Sequence, residues 1–171
     1  MGAGKSKIGR LLAKRLAYPF FDSDQLIEQN SGLSINDLFD RYGETFFREL
    51  ESDQIKYLCA RQNPTVIALG GGALLNPENF ERIRQNGVSV YIRSSAKAIF
   101  ERVKHTSKRP LLVVEPGADF EERLLQRIES LLQQRQSVYE QADLIFDRDG
   151  VEPDRLVENL YQKLQSMIEP L

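Results

Sequence analysis

The stretch GAGKSKIGRLLAKRLA at residues 2–17 decides the fold, because a glycine-rich turn opens directly into a helical pattern. Glycines let a backbone wrap around an anion, and the N–H groups and dipole of a helix start favour negative charge. In this pattern Lys5 reaches the β- and γ-phosphates of a nucleotide, and Ser6 gives its hydroxyl to Mg²⁺. The alternative is a flexible glycine-rich end before a basic helix. The helical period begins where a phosphate loop needs it, which favours the phosphate site.

The composition of the 171-residue chain excludes several classes of protein. Lys and Arg total 23 against 25 Asp and Glu, and this net charge of −2 argues against a nucleic-acid scaffold. The apolar runs are far shorter than the roughly 20 residues of a membrane span, and the first ten residues lack the apolar core of a secretory signal. Cys59 and His105 are the single residues of their kinds, which excludes an internal disulfide and a zinc site. We expect a cytoplasmic protein.

Helical and strand patterns alternate along the chain and predict one α/β domain over residues 1–171. The predicted strands are 20–24, 65–69, 88–92 and 144–146. The predicted helices are 5–17, 34–42, 44–61, 77–86, 95–104, 118–141 and 153–168. Because parallel neighbours need helical crossovers, this order predicts a parallel sheet that is covered on both faces. Residues 105–117 have no clean period and are typical of a mobile lid.

Two acids and three glycines lie where the predicted strands end, which is where α/β proteins bind ligands. Asp22 and Asp24 point the same way if the strand continues through both. One acid then holds Mg²⁺ through water while the other orients a substrate hydroxyl. The alternative makes Asp24 the N-cap of a following helix. The glycines at 70–72 allow a close ligand approach, or they form a sharp strand-to-helix turn.

Four arginines are candidates for binding an anion. Arg48 and Arg135 lie in helical sequence, where a solvated ion pair is the ordinary alternative. Arg102 has the same alternative as a surface charge. Arg109 lies in the irregular segment, from which a lid arginine neutralises transferring phosphates as water is expelled. Spacing alone leaves these alternatives open.

Taken in order, six motifs resemble shikimate kinase, a P-loop family related to the nucleoside monophosphate kinases. They are GAGKS at 2–6, the acids of DSD at 22–24, FRELE at 47–51, LGGGA at 69–73, RPLL at 109–112 and R-x-x-x-Y at 135–139. GAGKS alone indicates only a nucleotide-binding loop, whereas the ordered series is much more specific. The resemblance implies ATP-dependent phosphorylation of the 3-hydroxyl of shikimate, on the route to chorismate and the aromatic amino acids.

The resemblance also implies a role for each candidate residue. The residues that would bind ATP are Gly2, Ala3, Gly4, Lys5, Ser6, Lys7, Arg102 and Arg109. The residues that would bind shikimate are Asp24, Arg48, Gly71, Gly72 and Arg135. Mg²⁺ would be held by Ser6 and, through water, by Asp22. The catalytic groups would be Lys5, Asp24 and Arg109.

The resemblance implies a three-layer P-loop kinase fold with a parallel sheet, the family strand order 2-3-1-4-5 and a mobile lid near 105–117. No segment of this chain matches the family's strand 1 or the first glycine of its phosphate loop. We therefore expect the predicted strands 65–69 and 88–92 to face a gap of unpaired backbone groups. The expected partners are shikimate and ATP, bound by a monomer that uses neither nucleic acid nor membrane. The alternatives are a non-catalytic binding protein of the same type and a related small-molecule kinase such as gluconokinase, which Arg48 and Arg135 disfavour.

Overall fold

The computed structural model describes residues 2–105, 110–115 and 117–168. In these ranges the helices are α1 Lys5–Leu16, α2 Ser23–Ser31, α3 Ile35–Cys59, α4 Pro77–Asn86, α5 Ala96–Val103, α6 Phe120–Tyr139 and α7 Pro153–Ile168. The strands are β1 Phe20–Asp22, β2 Val66–Ala68, β3 Val90–Arg93 and β4 Leu144–Asp147. Residues 106–109 and 116 of the predicted lid lie outside the described residues, so the lid stays a prediction.

The described strands form two parallel pairs. In the pair of β1 and β2, Phe20 lies opposite Val66 and Asp22 lies opposite Ala68. In the pair of β3 and β4, Val90 lies opposite Leu144 and Arg93 lies opposite Asp147. These pairs are the family's neighbours 2-3 and 4-5, so the predicted strand order is confirmed on both sides of the position of strand 1. Among the described residues each sheet has two strands.

A cavity of 630 Å³ separates the two strand pairs. It is lined by β2 on one side and by β3 on the other. The predicted gap between strands 65–69 and 88–92 is therefore present.

Helices cover both faces of the strands. Helices α1 and α7 pack together over β3 and β4, with Leu12, Ile92 and Leu160 in their shared core. Helix α3 packs against α2 and α4, and α5 packs against α6 around the fully buried Ile128. These layers are the predicted three-layer α/β fold. None of the helices in the described ranges has the length and apolar character needed to cross a membrane.

Two local predictions need correction. The first strand ends at Asp22 and not at residue 24, because Asp22 caps a helix, α2, that begins at Ser23. Asp22 rather than Asp24 is thus the N-cap. Because Asp24 lies in the helix, the prediction that both acids point the same way from one strand is wrong. The predicted helices 34–42 and 44–61 are joined in α3, and the break between them is a kink at Gly43, whose φ of 82° and ψ of 172° are not helical.

Candidate active site

The start of α1 has the backbone geometry of an anion-binding turn. Gly4, the N-cap, has a φ of 85°, and Gly2 has a φ of 62°, both in the left-handed region that favours glycine. A Cβ atom on Gly2 would also lie 2.7 Å from Cγ2 of Ile99 on α5. Among the described residues no side chain caps this helix start. A bound anion can therefore accept hydrogen bonds there and interact favourably with the helix dipole.

Ser6, at the first turn of α1, is joined to the end of β1. Its hydroxyl donates to Oδ2 of Asp22 at 2.5 Å. The other carboxylate oxygen of Asp22 accepts from the backbone N–H groups of Asp24 at 3.1 Å and Gln25 at 3.3 Å. The α2 cap therefore fixes the Asp22 carboxylate, which presents its second oxygen to the phosphate loop. The predicted metal-binding pair is thus in contact.

Asp24 lies in the first turn of α2, beside the glycine turn that follows β2. A Cβ atom on Gly70 would lie 2.7 Å from Oδ1 of Asp24 and 2.5 Å from Oε1 of Glu51. The fully buried Ser23 fixes this approach, because its hydroxyl accepts from Gly70 N at 2.9 Å. Bare backbone at residue 70 is therefore what allows the two carboxyl groups to come together.

Arg48, on the α3 segment after the kink, reaches the same turn. Its NH1 donates to Oε2 of Glu51 at 2.7 Å, and its Nε and NH2 donate to Oε1 of Glu44 at 3.2 and 2.8 Å. The Glu51 side chain is 2 % exposed and the Glu44 side chain 54 % exposed. A Cβ atom on Gly72 would lie 2.6 Å from NH2 of Arg48, so the guanidinium rests on the glycine backbone.

The charge of Glu51 is set by two opposing effects. Burial raises the pKa of this carboxyl group, and the adjacent Arg48 lowers it, with burial the stronger. Asp24 raises the pKa further, and Arg135 lowers it. Glu51 therefore contacts Arg48 and interacts electrostatically with Asp24 and Arg135. The three predicted substrate residues thus surround one buried carboxyl group.

Arg135 and Tyr139 contribute from the last turns of α6. Arg135 is 4 % exposed, and its Nε has no hydrogen-bond partner among the described residues. Burial raises the pKa of the Tyr139 hydroxyl, while the charge of Arg135 and a hydrogen bond to it lower that pKa. Tyr139 also donates to the carbonyl oxygen of Gly71. A buried cation with an unused donor is a binding group for an anion.

Arg102 lies apart from this group, at the end of α5. Its NH1 donates to Ser94 Oγ at 2.7 Å, and its NH2 donates to Oδ1 of Asp149 at 3.4 Å. Partial burial alone raises the pKa of Asp149, but hydrogen bonds from Ser94, Ser95 and Arg102 lower it to about 2. Since α5 also packs against Gly2, Arg102 borders the phosphate-loop side of the site.

The structure thus brings together most of the predicted site residues. Ser6 meets Asp22, and Asp24, Arg48, Arg135 and the glycine turn form one cluster. Lys7 is exposed on α1, and Arg109 lies outside the described residues. We call the group formed by Asp24, Arg48, Glu51, residues 70–72, Arg135 and Tyr139 the two-arginine cluster.

Sequence reasoning missed three members of the site: Glu51, Ser23 and Tyr139. All three were present in the quoted motifs: Ser23 lies between the two acids, Glu51 three residues after Arg48, and Tyr139 four residues after Arg135. The last two are each a helical turn from an arginine. That helical spacing places each pair on one face and is the signal that could have found them.

Comparisons with known proteins identify the family of the chain. The family model described as shikimate kinase matches residues 1–165. A shikimate kinase of Thermodesulfovibrio yellowstonii is 38 % identical over 167 residues, which cover 98 % of this chain and 92 % of that protein. A shikimate kinase of Chlorobium chlorochromatii is 40 % identical over 171 residues, with 99 % and 90 % covered.

Solved structures give the same result. A shikimate kinase from Acinetobacter baumannii, in complex with shikimate, superposes with a TM-score of 0.89 at 33 % identity over 98 % of this chain and 89 % of that chain. A shikimate kinase from Bacteroides thetaiotaomicron superposes with a TM-score of 0.84 at 32 % identity, covering 99 % and 94 %.

Proposed function

This chain belongs to the shikimate kinase family, and we propose that it transfers the terminal phosphoryl group of ATP to the 3-hydroxyl of shikimate in the two-arginine cluster. The observation that carries the proposal is the convergence of Arg48 and Arg135 from two helices on one glycine turn. Both arginines interact with the buried Glu51, and Asp24 lies beside that carboxylate at Gly70. Gluconokinase and a non-catalytic binding protein are not favoured by the family match.

The two arginines bind the carboxylate of shikimate. Glu51 holds one edge of the Arg48 guanidinium, and the exposed Glu44 occupies the other. A substrate carboxylate takes the place of Glu44, because a contact between exposed groups is weak and is easily exchanged. Arg135 offers its buried Nε as a second donor. Planar donors of this kind match a carboxylate in geometry as well as in charge.

Asp24 orients the reacting hydroxyl and accepts its proton. Its position against Gly70 keeps the carboxylate at the carboxyl end of β2, next to the turn that lines the substrate. The carboxyl groups of Glu51 and Asp24 repel each other when both are charged. This repulsion favours the uptake of a proton by one of the two groups. In phosphoryl transfer the protein contributes mainly by positioning the reactants and neutralising charge. A single proton acceptor, Asp24, is therefore sufficient.

The phosphates of ATP bind at the start of α1. Gly2, Ala3 and Gly4 provide the turn, and Lys5 neutralises the β- and γ-phosphates. Arg102 flanks the adenine from α5, where Ser94 and Asp149 hold its guanidinium. Arg109 remains a prediction for the lid, because it lies outside the described residues.

The donor set at Ser6 and Asp22 fits Mg²⁺. A hydroxyl and a carboxylate are hard oxygen donors. Ser6 would ligate the ion directly and Asp22 would hold it through water, while phosphates and water would supply the remaining ligands. When bound there, Mg²⁺ neutralises charge on the phosphates. Ser6→Ala removes the hydroxyl, so the Mg²⁺ concentration for half-maximal rate rises, whereas Ser31→Ala, on the exposed end of α2, leaves it unchanged. An unchanged Mg²⁺ dependence of Ser6→Ala would overturn this assignment.

Steady-state formation of ADP by the 171-residue chain tests the proposed reaction. ADP release is measured with ATP, Mg²⁺ and either shikimate or gluconate, and the product is identified by phosphorus NMR. We expect shikimate-dependent turnover with the phosphate on the 3-hydroxyl. No ADP above the substrate-free rate, or preferential turnover of gluconate, would overturn the proposal.

Three further properties belong to the same proposal. We expect one domain over residues 1–171, in the cytoplasm, acting as a monomer. The length of 171 residues supports the first expectation, and the single cysteine supports the second. Light scattering with and without substrates tests the third, and a mass of twice 19.6 kDa would contradict it.

A further inference from the structure

Asn79, in the first turn of α4, is a buried amide close to the glycine turn of the two-arginine cluster. Only 1 % of this residue is exposed. Burial of an amide costs free energy unless its donor and acceptor groups are paired, so asparagine is an unusual occupant of such a position. The partners of the Asn79 side chain therefore indicate what the amide contributes.

Both polar atoms of the Asn79 amide have partners, and these partners belong to two different elements. Nδ2 donates to the carbonyl oxygen of Ala73 at 3.2 Å. Oδ1 accepts from the hydroxyl group of Ser52, on α3, at 2.8 Å. The amide therefore joins the segment that follows the glycine turn to the helix that carries Arg48.

The segment that this amide holds is continuous with the glycine turn. Ala73 N donates to Gly70 O at 3.2 Å, and Leu75 N donates to Gly72 O at 3.0 Å. These two hydrogen bonds close the backbone of the turn into one unit. A displacement of the Ala73 carbonyl group therefore also displaces Gly72, on which the Arg48 guanidinium rests.

Ser52 lies on the same part of α3 as the side chains of the cluster. It follows Glu51 directly and lies four residues after Arg48, which is about one helical turn. Helix α3 therefore contacts the glycine turn at two points, the Arg48 guanidinium on Gly72 and the Ser52 hydroxyl through the buried amide. The second contact restricts rotation of the turn about the first.

We propose that Asn79 and Ser52 are positioning residues for shikimate, which hold the glycine turn where Arg48 binds the substrate carboxylate; this inference rests on the proposed function. Without the hydrogen bond from Ser52 the turn adopts more than one position, and shikimate binds only the molecules in which the position is correct. The apparent affinity for shikimate then falls. The phosphate loop at the start of α1 keeps its own geometry, so the affinity for ATP does not change.

Steady-state ADP formation by Ser52→Ala tests the proposal. The variant lacks one hydrogen bond between uncharged groups, so KM for shikimate should rise by about 3- to 10-fold. Both kcat and KM for ATP should stay within about twofold of the parent values. Ser52→Thr keeps the hydroxyl group and should keep the parent KM for shikimate. An unchanged KM for shikimate in Ser52→Ala, or an equal rise in both KM values, would overturn the proposal.

Ser89→Ala is the matched control for a loss of stability. The Ser89 hydroxyl donates to Asp143 at 2.6 Å, just before β3 and β4 begin and at the opposite end of these strands from the site. Because a hydrogen bond to a charged group is the stronger kind, the Tm of this control should fall at least as far as that of Ser52→Ala. Its KM for shikimate should equal the parent value. A rise in this KM would assign the effect to stability alone and overturn the proposal.

Amide hydrogen exchange tests the positioning of the turn without the reaction. The Ala73 and Leu75 amides close the turn, so they should exchange about 3- to 10-fold faster in Ser52→Ala than in the parent. The Ile8 amide, which donates to Gly4 O at 3.0 Å, should keep its rate. Equal exchange of the turn amides in both proteins would overturn the proposal. Faster exchange in the variant of a parent that forms no ADP with shikimate would support the fixed turn and overturn only the proposed function.

Discussion

Replacement of Arg48 by lysine tests the most specific feature of the site, the shape of its cation. Arg48 uses three nitrogens: NH1 at 2.7 Å from Glu51, and NH2 and Nε at 2.8 and 3.2 Å from Glu44. Lysine keeps the positive charge, but its three donors share one nitrogen and cannot reproduce the planar fork whose separate nitrogens reach Glu51 on one edge and a second carboxylate on the other. The variant therefore loses at least one charge-assisted hydrogen bond, a cost of about 1.5–3 kcal/mol. In kcat/KM for shikimate this is a loss of about 10- to 150-fold.

The assay is steady-state ADP formation with shikimate and ATP varied in turn. Because the proposed role of Arg48 is to bind shikimate and not ATP, KM for ATP should stay within about twofold of the parent value. The matched control is Arg84→Lys, since Arg84 forms a 3.1 Å ion pair with Glu81 on the exposed side of α4. Its kinetic constants should not change. If Arg48→Lys retained the parent kcat/KM for shikimate, or raised KM for shikimate and for ATP equally, Arg48 would not be a shikimate-binding group.

Three further predictions test other parts of the site. Asp24→Asn should lower kcat by about 10²- to 10⁴-fold, the usual contribution of a general base, while ATP binding measured by calorimetry is spared; an unchanged rate would refute its role. Gly72→Ala should raise KM for shikimate, because the new Cβ would lie 2.6 Å from NH2 of Arg48 and displace the guanidinium. Gly87→Ala should leave KM unchanged, since no atom lies within 4 Å of its Cβ position. Equal effects of the two variants would contradict the contact between Gly72 and Arg48. Asp149 has a pKa lowered to about 2, so its stabilisation is present above about pH 4 and is lost as the pH falls through 2. With solvent screening discounted it is worth about 1 kcal/mol, and urea unfolding of Asp149→Asn against the parent should show this difference at pH 6 and not at pH 2.

The regular elements were predictable where local chemistry determines them. The helix at 77–86 was predicted with its exact bounds, because Pro77 fixes the first turn and Asn76 caps it. The first helix was predicted to within one residue, since Gly4 and the apolar period mark its start. The helices on either side of Gly43 were also predicted, at 34–42 and 44–61, although the chain joins them through a kink.

The prediction failed where two local signals compete. A strand through Asp24 satisfies the alternation of polar residues, but Asp22 accepts two backbone N–H groups as a helix cap and ends the strand earlier. Either acid can cap a helix, and sequence spacing does not distinguish them. The contact of Asp22 with Ser6, 16 residues away, contributes to the choice.

The sequence indicates which residue types form the site, but it does not indicate which of those side chains are buried. Arg48 and Arg135 had solvated ion pairs as alternatives, because a helical sequence does not reveal which face is covered. Arg135 is in fact 4 % exposed. Glu51 was not predicted as a site residue, because an acid three residues from an arginine usually forms a solvated ion pair with it. Its burial depends on contacts with α2 and with the turn after β2, which are distant in the sequence.

A structure of this chain with bound shikimate would show which groups hold the substrate. The measured quantity is the set of distances from the shikimate carboxylate to the guanidinium nitrogens of Arg48 and Arg135, and from its 3-hydroxyl to Asp24. We predict hydrogen-bond distances of about 2.7–3.2 Å for each, with Glu44 released from Arg48. Shikimate bound outside the two-arginine cluster, or with its carboxylate away from both arginines, would contradict the account.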